Sequence, residues 1–272
     1  SRFGKAGDRR MISIPEVASY VSLINFLRDN KDILVDIIQI SGNDYNSFSR
    51  IANEEHEIID VDNIYGDGIG GVSLTINDST ENQEEERERS VYVENMLHKI
   101  QMTRGASGIL HIDISEFYKS IYTHTLSAIK LGIDGAKGAF LRDSLDENYR
   151  KYVALDDRIR RLNGARTNGI LVGPYMSRII SEAILARVDI ELRESGFTFV
   201  RYADDYEIAI YKEEDLEDIK SKLVAIFERY SFRINNEKTT YEKYPFYMFS
   251  NYEQIIRRLV GKDKKIDSVE IV

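Results

Sequence analysis

Two adjacent aspartates, Asp204 and Asp205, lie between alternating apolar segments in the run FTFVRYADDYEIAIY. Alternation on both sides of a short polar break predicts a β-hairpin with both carboxylates at its tip. Neighbouring acids repel, so a fold that gathers them at a tight turn needs something to neutralise them, and a divalent cation is the usual answer. For an isolated Asp-Asp pair the plainer reading is a polar turn without a ligand. The rest of the chain decides between the two.

With 272 residues, 42% apolar and 31% charged, the chain can bury a sizeable core as one large domain or two subdomains. It contains no run of about 18 uncharged apolar residues that would predict a membrane span, and no signal-peptide pattern. Cysteine is absent, which excludes disulfides and thiolate metal sites and fits a cytoplasmic protein. The four histidines (His56, His98, His111, His124) lack zinc-ligand spacing. A net charge of −9 argues against a non-specific nucleic-acid coat protein, while leaving room for an enzyme with a local basic channel.

Along the chain, Pro15 suits the first turn of a helix with Val17, Tyr20, Val21, Ile24 and Leu27 on its apolar face. DILVDIIQI (32–40) reads as a strand. Gly66-Asp67-Gly68-Ile69-Gly70-Gly71 invites a phosphate-loop reading but lacks the Gly-Lys-Ser/Thr ending, so a hairpin tip is the better one. The acidic stretch 77–90 is a solvated helix start or loop, and residues 91–102 have helical spacing.

From residue 105 the pattern tightens. ILHIDI is a short strand that delivers Asp113 to its carboxyl end, where it can cap the next helix or meet a ligand. SEFYKSIYTHTLSAI follows with helical spacing through Phe117, Ile121 and Ile129. Arg158, Arg160, Arg161 and Arg166 form a basic stretch that is either a solvated face or a phosphate contact. A long helix then carries Met176, Ile179, Ile180, Ala183, Ile184 and Val188 inward and stops at Gly196. After the aspartate hairpin come an amphipathic helix (Leu216, Ile219, Leu223, Ile226, Phe227) and a strand-and-turn segment. This order predicts an α+β layer, with helices on one face of a mainly antiparallel sheet.

Asp113 and the Asp204-Asp205 pair, at two strand ends, are chemically sufficient for a two-metal site that clamps the attacking and leaving oxygens of a phosphoryl transfer. The words around them are more specific. HIDISEFYKSIYTH resembles the first palm motif of reverse transcriptases, NGILVGPYMSR their template/primer-helix motif, and RYADDY their catalytic hairpin. Arg233-Ile234-Asn235-Asn236-Glu237-Lys238-Thr239 resembles the fourth motif, with its closing Lys-Thr pair. All four occur in the family's order across about residues 105–240. DISEFYKSIYTH, with RRMISIP near the start, is most similar to the abortive-infection and defence-associated bacterial group.

The resemblance implies a right-hand architecture: fingers over 1–104, palm with the catalytic site over 105–250, and the start of a thumb or C-terminal region over 251–272, the thumb largely missing. It implies Asp113 and Asp204 as principal metal ligands, with Asp205 beside them and the Ile114 carbonyl completing a site for two Mg²⁺ ions, Mn²⁺ being the alternative. Phe117 and Tyr118 would meet the nucleotide, and a ring at Tyr118 would crowd a ribose 2′-OH. Gly173 would line the nucleotide and template side, and Lys238 would lie near the triphosphate. Arg50, Arg87, Arg89 and Arg104 are the fingers candidates for holding phosphate. The implied partners are deoxynucleotides and nucleic acid, an RNA template or single-stranded DNA product, with assembly into homo-oligomers also implied. Leu171 stands where many relatives carry proline, and the Gln-Gly pair of intron and retroviral enzymes is lacking. Rival expectations are a catalytically silent polymerase-like module that binds RNA or a partner, and a palm-fold cyclase, which the missing GGDEF-type signature disfavours.

Overall fold

Residues 12–51, 95 and 98–245 are those described in the computed structural model. The glycine-rich stretch 66–71, the acidic stretch 77–90, Arg87, Arg89 and residues 251–272 lie outside them. The centre is a four-stranded antiparallel sheet of β1 (Gly108–Asp113), β2 (Phe199–Tyr202), β3 (Asp205–Ile210) and β4 (Thr240–Lys243), in the order β2-β3-β1-β4. Around it run α1 (Val17–Asp29), α2 (Lys31–Gly42), the short α3 (Phe117–Ser120), α4 (Ala128–Leu141), α5 (Glu147–Leu162), α6 (Tyr175–Glu194) and α7 (Leu216–Arg229). This is the mixed α+β arrangement that the strand and helix pattern predicts.

Strand alternation sorts the sheet into two chemically different faces. Leu110, Ile112, Tyr206 and Ile208 are buried in the core shared with α6 and α7, and the Tyr206 ring meets Phe227 of α7 edge-on at 5.1 Å. The other face carries His111, Asp113, Asp205 and Glu207, with His111 Nδ1 3.9 Å from Glu207 Oε1. α6 is the central buried helix, since every member of its expected stripe is buried and Gly196 ends it at φ 82°. Burial of each such aliphatic side chain contributes about 1.5–3 kcal/mol, which makes α6 a stiff backing for the sheet.

Three expectations are corrected. Residues 32–40 form the body of α2, not a strand: Ile33, Leu34, Ile37 and Ser41 share one helical face and are buried. The inward face of α1 is turned toward Leu23 and Leu27, leaving Val17 and Val21 exposed. The turn follows from its packing on α5, where the Arg158 guanidinium lies 4.0 Å over the Phe26 ring. The helix expected after Asp113 is broken into α3, a 3₁₀ turn at Thr123–Ser127 and α4. Glu116 takes a left-handed backbone (φ 46°) and Ile121 an extended one, and Tyr122 bridges to Asn168. Phe117, Ile121 and Ile129 are nonetheless all buried, as their spacing predicts.

Candidate active site

β1 and β3 run side by side until Asp113 stands directly opposite Asp205. Opposed residues of an antiparallel pair project from the same face with Cβ atoms about 4.5–5.5 Å apart, so the pairing brings both carboxylates to one sheet end. Asp204 follows Ala203 at the tip between β2 and β3 and is half-buried. Ala203 holds φ 52°, a left-handed conformation that costs a residue with a side chain about 1–2 kcal/mol. Among the described residues no group of three His, Cys, Asp or Glu side chains stands ready-gathered around a metal position.

The Asp113 carboxylate is already engaged. Asn235 Nδ2 donates to its Oδ2 at 3.2 Å, and Lys238 Nζ donates to its Oδ1 at 3.0 Å. Both donors sit on the turn before β4, which is tied to the site by the Asn235 N–H donating to the Asp113 carbonyl and by an Ile114–Ile234 bridge. In that bridge Ser115 N–H bonds the Arg233 carbonyl, so the Ile114 carbonyl is directed away from Ile234, on the side where the hairpin lies. The Ile114 side chain is buried. Lys238 thus acts as a stand-in cation on a carboxylate, and the hard oxygen donors of Asp113, Asp204, Asp205 and Ile114 fit Mg²⁺ chemistry.

Tyr118 is half-buried beside this end of the sheet, and its ring packs edge-on against Phe117 with centroids 5.3 Å apart. Phe117 itself is buried against Phe232, so its ring underlies Tyr118. The Tyr118 carbonyl accepts the Ile170 N–H at 2.9 Å, and Ile121 accepts Gly169 N–H at 2.8 Å. Gly169 has φ 87°, and a Cβ there would lie 3.1 Å from Lys119 Cα and 3.2 Å from its carbonyl. Gly169→Ala is therefore expected to destabilise the protein by about 2–4 kcal/mol, combining left-handed strain with overpacking against backbone. Urea unfolding of the variant checks this, and a loss within error of zero would show that the 118–122 segment yields freely.

The hairpin is backed by a buried ionic cluster that sequence reading did not assign. Arg201 is fully buried on β2. Its Nε donates to Asp189 Oδ2 at 2.6 Å, Nη2 to Asp44 Oδ2 at 3.2 Å, and Nη1 lies 2.8 Å from Glu182 Oε1. Arg193 adds a second cation, 2.7 Å from Asp44. Burial pushes the Asp189 carboxyl well above its ordinary value, against the pull of the Arg201 charge. Burial would also raise Asp44, but the hydrogen bond from Asp189 and the Arg201 and Arg193 charges outweigh it and hold that carboxyl below its ordinary value. The available sequence signal was an arginine inside an otherwise apolar strand, with Glu182 and Asp189 seven residues apart on the buried side of α6.

Gly173 (φ 124°) is covered by the N-terminal segment: a Cβ there would be 2.6 Å from Ile12 Cγ2, and Ser13 N–H donates to the Val172 carbonyl. In the basic stretch, Arg158 stacks on Phe26, while Arg160 and Arg161 pair with Asp157 on their own helix. Arg50 lies 5.1 Å over the Tyr45 ring, and Arg104 is exposed.

The family model described as reverse transcriptase (RNA-dependent DNA polymerase) matches residues 71–254. Comparison with curated proteins finds no match. Among solved structures, apo telomerase from Candida tropicalis is 16% identical, with 59% of this chain and 32% of that chain covered and a TM-score of 0.38. Telomerase from Candida albicans in complex with a TWJ fragment of telomeric RNA is 15% identical, with 62% and 31% covered and a TM-score of 0.36. The chain spans about a third of the length of these telomerase chains. No helix of the described residues is long and apolar enough to cross a membrane.

Proposed function

The chain belongs to the reverse transcriptase family of RNA-dependent DNA polymerases, and from that premise we propose that it adds deoxynucleotides to a growing 3′ end by two-metal phosphoryl transfer. The observation that carries this reading is the register that sets Asp113 opposite Asp205 beside the Asp204 tip. In this reading Asp113 and Asp204 are the principal ligands for two Mg²⁺ ions, with Asp205 and the Ile114 carbonyl beside them. The ions, when bound, supply charge neutralisation and Lewis-acid activation of the oxygens at the transferring phosphorus. The protein's part is to hold the carboxylates on paired strand ends, where the ions would be bound. Lys238, now on Asp113, is within reach of the same site and can exchange its carboxylate for a phosphate oxygen.

Tyr118, stiffened by Phe117 beneath it, would press on the ribose edge of an incoming nucleotide. Tyr118→Ala is expected to raise ribonucleotide incorporation relative to deoxynucleotide by about 10–200-fold, the scale of discrimination that shape alone provides. Competing the two nucleotide classes in one primer-extension assay measures this. An unchanged ratio would leave Tyr118 as a packing residue only.

The finer reading places the protein among the defence-associated enzymes, with fingers over 1–104, palm over 105–250 and the start of a thumb region over 251–272. There, priming from a protein hydroxyl, synthesis without a template and assembly into homo-oligomers are proposals that rest on the motif words. The deciding experiment incubates the purified protein with Mg²⁺ and labelled deoxynucleotides, with and without a primed RNA template. Template-dependent extension supports the polymerase reading, and template-free product that migrates covalently with the protein selects the protein-primed form. Absence of incorporation under all these conditions, and with Mn²⁺, by folded protein would sink the catalytic reading in favour of a silent binding module.

A further inference from the structure

We propose that Ser49, 154 residues away in sequence, is a positioning residue for the aspartate hairpin, acting with Arg201 to clamp the strained Ala203 peptide by both of its polar ends. The inference rests on the reading of Asp204 as a metal ligand. Ala203 is the residue that turns the chain into Asp204, and its left-handed backbone (φ 52°) is uphill for any residue with a Cβ. Its N–H donates to Ser49 Oγ at 2.9 Å, and its carbonyl accepts from Arg201 Nη1 at 3.0 Å. Neither partner belongs to the hairpin tip itself.

The clamp is fixed by what lies behind it. Ser49 Oγ donates to Glu182 Oε2 at 3.1 Å, which commits its hydrogen to α6 and aims a lone pair at the Ala203 amide. Glu182 Oε1 is in turn 2.8 Å from Arg201 Nη1, so one buried carboxylate orients both jaws. The segment that delivers Ser49 is bonded along β2: Arg201 N–H donates to the Asn46 carbonyl at 2.8 Å, and Phe48 N–H to the Arg201 carbonyl at 2.8 Å. Asn46 Nδ2 also donates to the Phe199 carbonyl at 2.7 Å. A single parallel bridge, Ser47 to Arg201, therefore ties the Ser49 segment to the hairpin strand β2. Ser49 and Glu182 touch neither substrate nor metal in this scheme; they set the Asp204 backbone.

The test uses Ser49→Ala, Ala203→Gly and the double variant, with two readouts. Amide hydrogen exchange of a peptide covering 201–206 reports the clamp without any activity, and kcat and KM for deoxynucleotide with Mg²⁺ on a primed RNA template report its use. Ser49→Ala is expected to speed exchange at the tip and to lower kcat by about 10–100-fold, as loss of an orienting partner typically does, with KM within about twofold. Glycine adopts φ > 0 without the Cβ penalty, so the loss caused by Ser49→Ala should shrink to within about threefold on the Ala203→Gly background. Equal losses on both backgrounds, or unchanged exchange at the tip, would overturn the clamp. Asp204→Asn serves as the control: if it incorporates nucleotide like the parent, the catalytic reading fails, whereas an inactive Asp204→Asn with an unaffected Ser49→Ala overturns the positioning role alone.

Discussion

Asp204→Asn is expected to lower nucleotide incorporation by at least about 10²–10³-fold while leaving the protein as stable as the parent, or slightly more so. The substitution keeps the size and shape of the side chain and removes one negative charge from a sheet end that already holds Asp113 and Asp205. Like charges gathered without a metal raise the free energy of the fold, so removing one relieves repulsion. The same charge is what a divalent cation would use, so the gain in stability and the loss of function have one cause. Asp113→Asn should lose activity on the same scale, but it also weakens the Lys238 ion pair and so should gain less stability. Melting with and without Mg²⁺ separates the effects independently of turnover. A cation that binds the folded state raises its stability by about 2.7 kcal/mol at a hundredfold excess over its dissociation constant, and this increment should vanish in Asp204→Asn. Incorporation at the parental rate by Asp204→Asn would refute the assignment.

The parts of this site that were legible in the sequence are those built from local patterns. Alternation around Asp204-Asp205 gave the hairpin, and the apolar stripe through Ile180 and Ile184 gave the helix behind it, because both record a single period over many residues. The strand ending at Asp113 was equally plain. The misreading of 32–40 has a physical origin: a short run dense in isoleucine and valine satisfies both a buried strand and one face of a helix, and packing on α6 settles it. Phe117 and Gly173 carried expectations from motif words, whereas their surroundings, Phe232 and the Ile12–Ser13 segment, come from elsewhere in the chain. The Arg201 cluster was only hinted at, by an arginine in an apolar strand, since Asp44, Glu182 and Asp189 converge only in three dimensions. Asn235, which shares Asp113 with Lys238, lay inside a recognised motif but had no role that spacing could assign.

Arg201→Met should be the most destabilising change in the described core, by about 3–5 kcal/mol at neutral pH, because it removes one partner of a buried ion cluster and leaves the others. That is a large share of the roughly 5–15 kcal/mol that holds a typical domain folded. Methionine fills much the same space, so the cost is electrostatic: Asp44 keeps the charge of Arg193, which is 37% exposed at its side chain, and Glu182 keeps the hydroxyl donors Ser47 and Ser49 in place of a guanidinium. The sign of the pH dependence follows from this. In the parent, Asp189 has a folded pKa above its ordinary 3.8, so its contribution is fully present below that value and is lost as pH rises through the folded one. Asp44 behaves oppositely in the parent, where it is held below 3.8 and contributes stability above that value. Without Arg201, Asp44 loses one of the charges that hold its carboxyl down, so its folded pKa moves upward, and Asp189 loses the charge that opposed its own rise. The stability gap between variant and parent should therefore narrow steadily as pH falls from neutral toward about 4, the ordinary carboxyl value. Denaturant unfolding of both proteins across that range measures it. A gap that stays constant with pH would show that Arg201 contributes through packing and its hydrogen bond to Ala203 alone, and a gap that widens would reverse the charge assignment of the cluster.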